Sequence, residues 1–538
     1  MLQTQGFRIR ISVVILVYVF LLFPVSSHFL WSYASGATYY VSPSGNDTNP
    51  GTESQPWVTI KKAADTLTAG DTVYIRTGTY QEQVVPQNSG SAGSYITYSA
   101  YSVEKPVIDG NSITLSTEQQ GLFNIINKSY IKISGLTIKK AGPNDENNGI
   151  FVDNSSYITI EKNYTYDTVS SGIGVWNSSN ITIDGNEVEF ACNDGQQECI
   201  TVSGTDTFEV KNNHVHDSGP GTNGGEGIDA KDGSSNGKIY NNMVHDINGD
   251  VYQNISYDNS AGISLAAEAG GLLENISIYN NIVYNNRTNG LEIGNWGESG
   301  YAHPIKKIKF INNTVYNNGL TWGGGIFLEN PTAQNIVIRN NIFSQNLSFQ
   351  ISNEAGITGT NLTVGHNLID GYRDDDDEIR GTDYVEGDPL FVSASGADFQ
   401  LQQASPAIDK GSSSDAPADD YAGNVRPYGA GYDIGAYEYG SGTGSTTTVS
   451  GSTTTALSTT TTTAAGLCPA EEIYGEDSEK TQLLRCFRDN GLSLTQEGRA
   501  LIALYYQLST VAVKMMDDDD EFKEEIKEMI DGVLELIE

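Results

Sequence analysis

Basic residues are scarce in this chain. Lys and Arg number 30 of 538, against 67 Asp and Glu, giving a formal net charge of -37 at pH 7. A field of that sign argues against nucleic acid or anionic lipid as a partner. It suits cations such as calcium, which take oxygen ligands. An acidic polysaccharide could approach only through a bridging cation or a local basic cluster. Cysteine is equally sparse, with four residues and no C-x-x-C spacing, which argues against a zinc site built on thiolates. Cys192 lies near Cys199, and Cys468 near Cys486. An exported chain could join each pair in a local disulfide or leave the thiols free. Long apolar runs are limited to one, ISVVILVYVFLLFPV (11–25), preceded by Arg8 and Arg10 and followed by the small residues SYASGA. It falls short of the about 20 residues of a membrane span. It reads as a secretory signal over 1–36, with a retained anchor as the alternative. What the chain has in quantity is glycine (58) and tyrosine (30) on a 38% hydrophobic background. Those proportions suit strands and turns.

An internal repeat dominates the middle. YITIEKN, NITIDGN, TFEVKNN, NGKIYNN, NISIYNN, KIKFINN and NIVIRNN each alternate apolar and polar residues and end in Asn. Those Asn residues, from 163 to 341, are spaced by 23, 27, 29, 39, 32 and 28. A second strand family falls between them: GIFVDN, GIGVWN, CITVSG, GIDAKD, GISLAA, GLEIGN and GIFLEN. A third follows the Asn: YTYD, EVEF, HVHD, MVHD, IVYN and TVYN. Three short strands per period predict a coil that stacks on itself and buries one face of each strand. The repeated Asn tolerates a left-handed bend and can stack its amide in a ladder.

On these residues the chain resembles the pectate-lyase-like right-handed parallel β-helix proteins. The stretch YYVSPSGNDTNPGTESQPWVTIKKAADTLTAGDTVYIRTGTYQE (39–82) is similar to the opening of family 9 polysaccharide lyases and their uncharacterised relatives. The resemblance implies that Ile60, Ala63, Ala64 and Leu67 form an amphipathic helix closing the end of the core. DPLFVSASGADFQLQQASPAIDKG (388–411) and RPYGAGYDIGAYEY (426–439) resemble the last coils of secreted β-helix proteins that carry varied C-terminal anchors. The expected architecture is all-β: a right-handed parallel β-helix over 37–440, acting as a monomer. A Thr/Ser-rich linker (441–466) and a small α-helical module (467–538) follow. The opening of that module somewhat resembles a C-terminal module of bacterial and archaeal surface proteins. This implies cell-surface attachment, with an accessory helical hairpin as the alternative.

The site expectation rests on GEGIDAKDGSS (225–235). If Ile228 and Ala230 face inward, Asp229 and Lys231 face outward. Glu292 then lies two coils away on the same side, with Trp176 and Phe327 further out as rings for sugar faces. β-Elimination on a uronate needs a base for the proton α to the carboxylate and a cation to neutralise that carboxylate. Glu226, Asp229 and Asp232, with Asp194 and Glu198 from the previous coil, could hold calcium, with Lys231 as base. Family 9 lyases use such an arrangement. Here their DDGxD-type run is absent, and the position for a later-coil lysine reads Glu292. Paired carboxylates, Asp229 and Glu292, would instead suit a glycoside hydrolase. An exposed i,i+2 ion pair would suit a non-catalytic adhesin or carbohydrate-binding spacer. A long insertion adds Trp296 as a sugar platform and His303 as a catalytic candidate. HVHDSG and MVHDIN place His216–Asp217 beneath His245–Asp246, as a structural stack, a metal site or an acid/base pair.

Overall fold

The three strand families become the three faces of a solenoid. The computed structural model describes residues 36–193, 197–219, 225–248, 260–295, 302–320, 322–374 and 377–440, with the isolated helical positions Lys523 and Lys527. The signal-like segment, the linker and the rest of the C-terminal module, including Cys468 and Cys486, lie outside the described residues.

The Asn-ended family forms a 12-stranded sheet from Thr38–Val41 to Leu362–Gly365. The GIFVDN family forms a nine-stranded sheet from Gln120–Ile126 to Ile351–Ser352. The short strands after Asn form another 12-stranded sheet, from Thr79–Tyr80 to Val385–Glu386. Neighbours in all three are parallel and one coil apart, the pattern of a right-handed parallel β-helix. Like residues stack on like: Ile158 pairs with Ile181 and Ile160 with Ile183, and all four are buried. Burying each such side chain contributes about 1.5–3 kcal/mol. The N-terminal end is closed by the helix Ile60–Thr66, capped by Thr59, with Ile60, Ala63 and Ala64 buried and Leu67 beside them in the core.

The repeated asparagines do one of the two jobs expected of them. Asn163, Asn186, Asn213, Asn242, Asn281, Asn313, Asn341 and Asn367 are all buried. Each side-chain amide donates to the carbonyl of the next, at 2.9–3.0 Å. The left-handed bend falls one residue earlier, as at Asn212 (φ 54), Asn241 (φ 54) and Asn280 (φ 52). The Asn-Asn pairs of the sequence thus divide turn and ladder between them. A second ladder, Asn286–Asn318–Asn346, ends on Gln350.

Two expectations need correction. The 388–440 segment adds no further full coils. Its strands Phe391–Ser393 and Asp398–Leu401 form an antiparallel pair. Phe391, Phe399, Leu401, Ala407, Ile434 and Ala436 pack against Ile282, Tyr284, Ile342 and Leu368, the outer side of the short-strand sheet. That sheet offers apolar outward residues there, and the segment covers them. A buried Arg426–Glu438 pair fastens it at 2.5 Å, and Arg426 also reaches the Asn280 side chain. The second correction concerns Cys192 and Cys199, which are buried and unbridged. The Cys192 thiol donates to the Gln197 carbonyl at 2.7 Å. Burial and the adjacent Cys199 push that thiol well up, so it stays protonated.

Asn281→Ala would leave the Asn242 backbone N–H and side-chain amide without their shared acceptor. We expect a loss of about 2–4 kcal/mol in chemical denaturation, at about 1–3 kcal/mol per orphaned buried group. Asn285→Ala, which removes an exposed amide contact to Asn317 and puts Ala at a left-handed position (φ 54), should cost less, about 1–2 kcal/mol.

Candidate active site on the nine-stranded face

Strand alternation holds in GIDAKD. Ile228 and Ala230 enter the core, leaving Asp229 and Lys231 on the opposite side of the strand Ile228–Lys231. That side is not solvated, however. Asp229 is 1% exposed and Lys231 5%, so the exposed i,i+2 ion pair is ruled out. The backbone register builds one column of Thr201, Asp229, Ser264, Glu292 and Phe327. A parallel column holds Trp176, Ser203, Lys231 and Ala266. Asp229 and Glu292 stand two rungs apart, as expected, and rungs are about 4.8 Å apart.

Carboxylates converge on Lys231 from three coils. Its ammonium donates to Glu198 Oε1 at 2.8 Å. Glu268 Oε2 lies at 3.5 Å and Asp229 Oδ2 at 4.0 Å. The neighbour on the same strand is therefore the most distant partner. The other Glu198 oxygen accepts from the Thr201 hydroxyl at 2.8 Å, itself bonded to Ser171. Glu292 is buried and accepts from the Asn289 amide at 2.8 Å. Glu226 is buried too, and its Oε2, like Asp229 Oδ1 and the Ser264 hydroxyl, has no hydrogen-bond partner.

Burial sets the electrostatics. It pushes Glu226 well above the usual carboxylate range, helped by Glu198, Glu292 and Glu268. Burial and Glu198 do the same for Asp229, against the pull of Lys231. Glu268, at the rim with its side chain 33% exposed, is raised to about 7 by burial, with Lys231 opposing and Glu198 and Asp232 adding to the rise. Burial alone would lower Lys231; the fields of Glu198, Asp229 and Glu268 outweigh it and hold the group well above its ordinary value. Lys231 is an ammonium here, not a free base.

A cation fits this donor set. Glu198, Asp229 and Glu268 each bring an oxygen within 4.8 Å of the others, and a buried Asp229 oxygen is left without a partner. All donors are hard oxygens, the preference of calcium. Asp232 stands apart from this group and accepts from the Ala269 N–H at 2.8 Å, fixing the loop that carries Glu268. Asp194 and Trp296 lie outside the described residues. His303 packs its ring over Gly270 and uses its carbonyl to hold Asn330 and Thr332. Phe327 is 6% exposed and lies within an aromatic cluster with Trp322 and Phe349; the ring open to solvent is Trp322, at 47%. Trp176 is half-buried against Phe151. On the short-strand sheet, His214 joins His216 and His245, an addition the sequence reading missed. Burial, with His216 and His245 beside it, holds His214 down to about 4.

Stacked coils, an aliphatic core and a charged cluster on one face define a pectate-lyase-like β-helix. The chain belongs to the Pel9A-like right-handed β-helix family, whose model matches residues 39–324. It is 31% identical over 440 residues to the uncharacterized protein YwoF of Bacillus subtilis, covering 69% of this chain and 92% of YwoF. Pectate lyase L of Paenibacillus polymyxa is 26% identical over 300 residues, 52% of this chain and 63% of that protein. The crystal structure of pectate lyase Pel9A shares the fold, with a TM-score of 0.52 at 19% identity, over 76% of this chain and 97% of Pel9A.

A carboxylate raised by folding makes its stability contribution below its unfolded pKa of about 4.3 and loses it as pH rises through the folded value. For Glu268 that window ends near 7. The denaturation midpoint should fall from about pH 5 to about pH 8, and fall less in Glu268→Gln. An equal fall in the two proteins would mean that Glu268 is not raised by folding.

Proposed function

We propose that this chain is an exported polysaccharide lyase that cleaves uronic-acid polymers by β-elimination on the nine-stranded face. The observation that carries this reading is the buried Lys231 inside an all-oxygen carboxylate cradle. Glu198, Asp229 and Glu268 would hold calcium, with Glu226 adjacent. Calcium would supply the positive charge that neutralises these carboxylates and the substrate's own. With their field cancelled, burial governs Lys231 and draws its pKa down. Lys231 Nζ would then take the proton α to the substrate carboxylate, the electron pair would form the new C=C bond as the glycosidic C–O bond at the β carbon breaks, and the departing oxygen would take a proton from solvent. Glu198 and Thr201 fix the position of Lys231. Trp322 and Trp176 offer aromatic surface near the two ends of the columns for sugar rings. The signal-like N-terminus supports export, and the Thr/Ser linker and C-terminal module support attachment to a surface.

A second reading has its own support. Burial pushes the Asp229 carboxyl up, the direction a general acid needs, and Glu292 stands two rungs away in the same column. Such a pair would serve a glycoside hydrolase.

The test incubates the full chain with a panel of uronic-acid polysaccharides, with calcium or with chelator. The readouts are the ultraviolet absorbance of the unsaturated uronate and the count of new reducing ends. We expect a calcium-dependent absorbance rise, reduced by about 10²–10⁴-fold in Lys231→Ala. New reducing ends without absorbance would establish the hydrolase. Neither signal on any polymer would make the chain a binding protein.

A further inference from the structure

A second cluster of chemistry-bearing side chains lies on a different face of the same coils. The strands Glu187–Glu189, His214–His216 and Met243–His245 are consecutive rungs of the short-strand sheet. Val188, Val215 and Val244 point into the core, so the residues flanking them stand on the outer side. Register puts Glu187 against His214, and Glu189, His216 and His245 in one line. All five are Glu or His, on three adjoining rungs.

The rings are oriented, not merely stacked. His216 Nδ1 is bonded to Asp217 Oδ2 at 2.8 Å, and His245 Nδ1 to Asp246 Oδ2 at 2.6 Å. A carboxylate on Nδ1 fixes the Nδ1–H tautomer and leaves Nε2 as a lone pair. His245 Nε2 meets His214 Nε2 at 2.8 Å. His216 is nine-tenths buried, and its Nε2 has no hydrogen-bond partner; Glu187 Oε1 is 3.5 Å from it. The three imidazoles each offer a nitrogen within 4.8 Å of the others. The Glu187 side chain is half-exposed, so the cluster is open to solvent on that side.

We propose that His214, His216 and His245 form a site for a divalent transition metal of the zinc class, with Glu187 as the carboxylate ligand. Three imidazoles and one carboxylate are the donors of a four-coordinate zinc site, and imidazole favours zinc, copper and nickel over calcium. Asp217 and Asp246 are positioning residues that aim Nε2 at the ion. The site is separate from the oxygen cradle around Lys231, so the two differ in the metals they select.

The test strips the full chain with chelator and titrates it with Zn²⁺ by calorimetry, with calcium in excess. Co²⁺ then replaces Zn²⁺, and its visible spectrum reports tetrahedral nitrogen coordination. We expect one zinc per chain that calcium does not displace. His214→Ala and His245→Ala should each weaken it at least as much as a lost orienting carboxylate does, about 10–100-fold. Asp246→Asn, which keeps every ring, should weaken it about 10–100-fold, while Lys231→Ala leaves it unchanged. Circular dichroism checks that each variant keeps its β-structure. The proposal is overturned if the folded wild-type chain takes up no stoichiometric zinc. It is equally overturned if uptake persists in the folded His214→Ala/His245→Ala double variant, or if bound Co²⁺ gives an octahedral spectrum.

Discussion

Rung-to-rung registry is the constraint on which this protein depends. No coil of three short strands can bury its own apolar face, so each needs the coils on both sides. The line of buried asparagines keeps them in step. A slip by one residue would turn every inward isoleucine outward and strip each Asn of its partners in both neighbouring coils. Aliphatic stacking supplies the driving force, and the amide line supplies the register.

A rigid registered surface can place charges where solution chemistry would not. Glu226, Asp229 and Lys231 share one coil, and Glu198, Glu268 and Glu292 reach the cluster from neighbouring coils, held at fixed spacing by backbone pairing. Gathering charges out of water is costly unless they are matched, and the match here is incomplete: more carboxyls than ammonium groups, with oxygens left unpaired. The imbalance is the physical reason to look for a cation there. Two of those coils also carry the three histidines on another face. One scaffold thus displays a hard oxygen set and a borderline nitrogen set without either disturbing the other.

Much of this was legible in the residues. The period of the Asn-ended strands identified every rung of the ladder from Asn163 to Asn341. Strand alternation placed Ile228 and Ala230 inside, and it aligned Asp229 with Glu292. What stayed hidden was depth. Alternation tells which side a residue takes, not whether loops cover that side, so the burial of Lys231 and its preference for Glu198 over Asp229 could not be read. The terminal segment was misread for a related reason: Phe391, Phe399 and Ile434 are apolar at strand-like spacing whether they extend the stack or pack against its flank. His214 was missed because its contact with His245 is diagonal across the register, and pairing by row showed only His216.

The amide line has a direction. From Asn163 to Asn341 each amide donates one N–H to the Asn carbonyl of the next coil, each carbonyl receives from the coil before it, beginning with the Leu136 N–H on Asn163, and the line ends at Asn367, whose amide donates back to Ile338. Eight side-chain dipoles therefore lie head to tail along the solenoid. Each hydrogen bond in such a chain polarises the next, so the protein carries an internal polarity along its axis, with its positive end toward the later coils. The two ends of this molecule are electrically distinct even where their strands look alike.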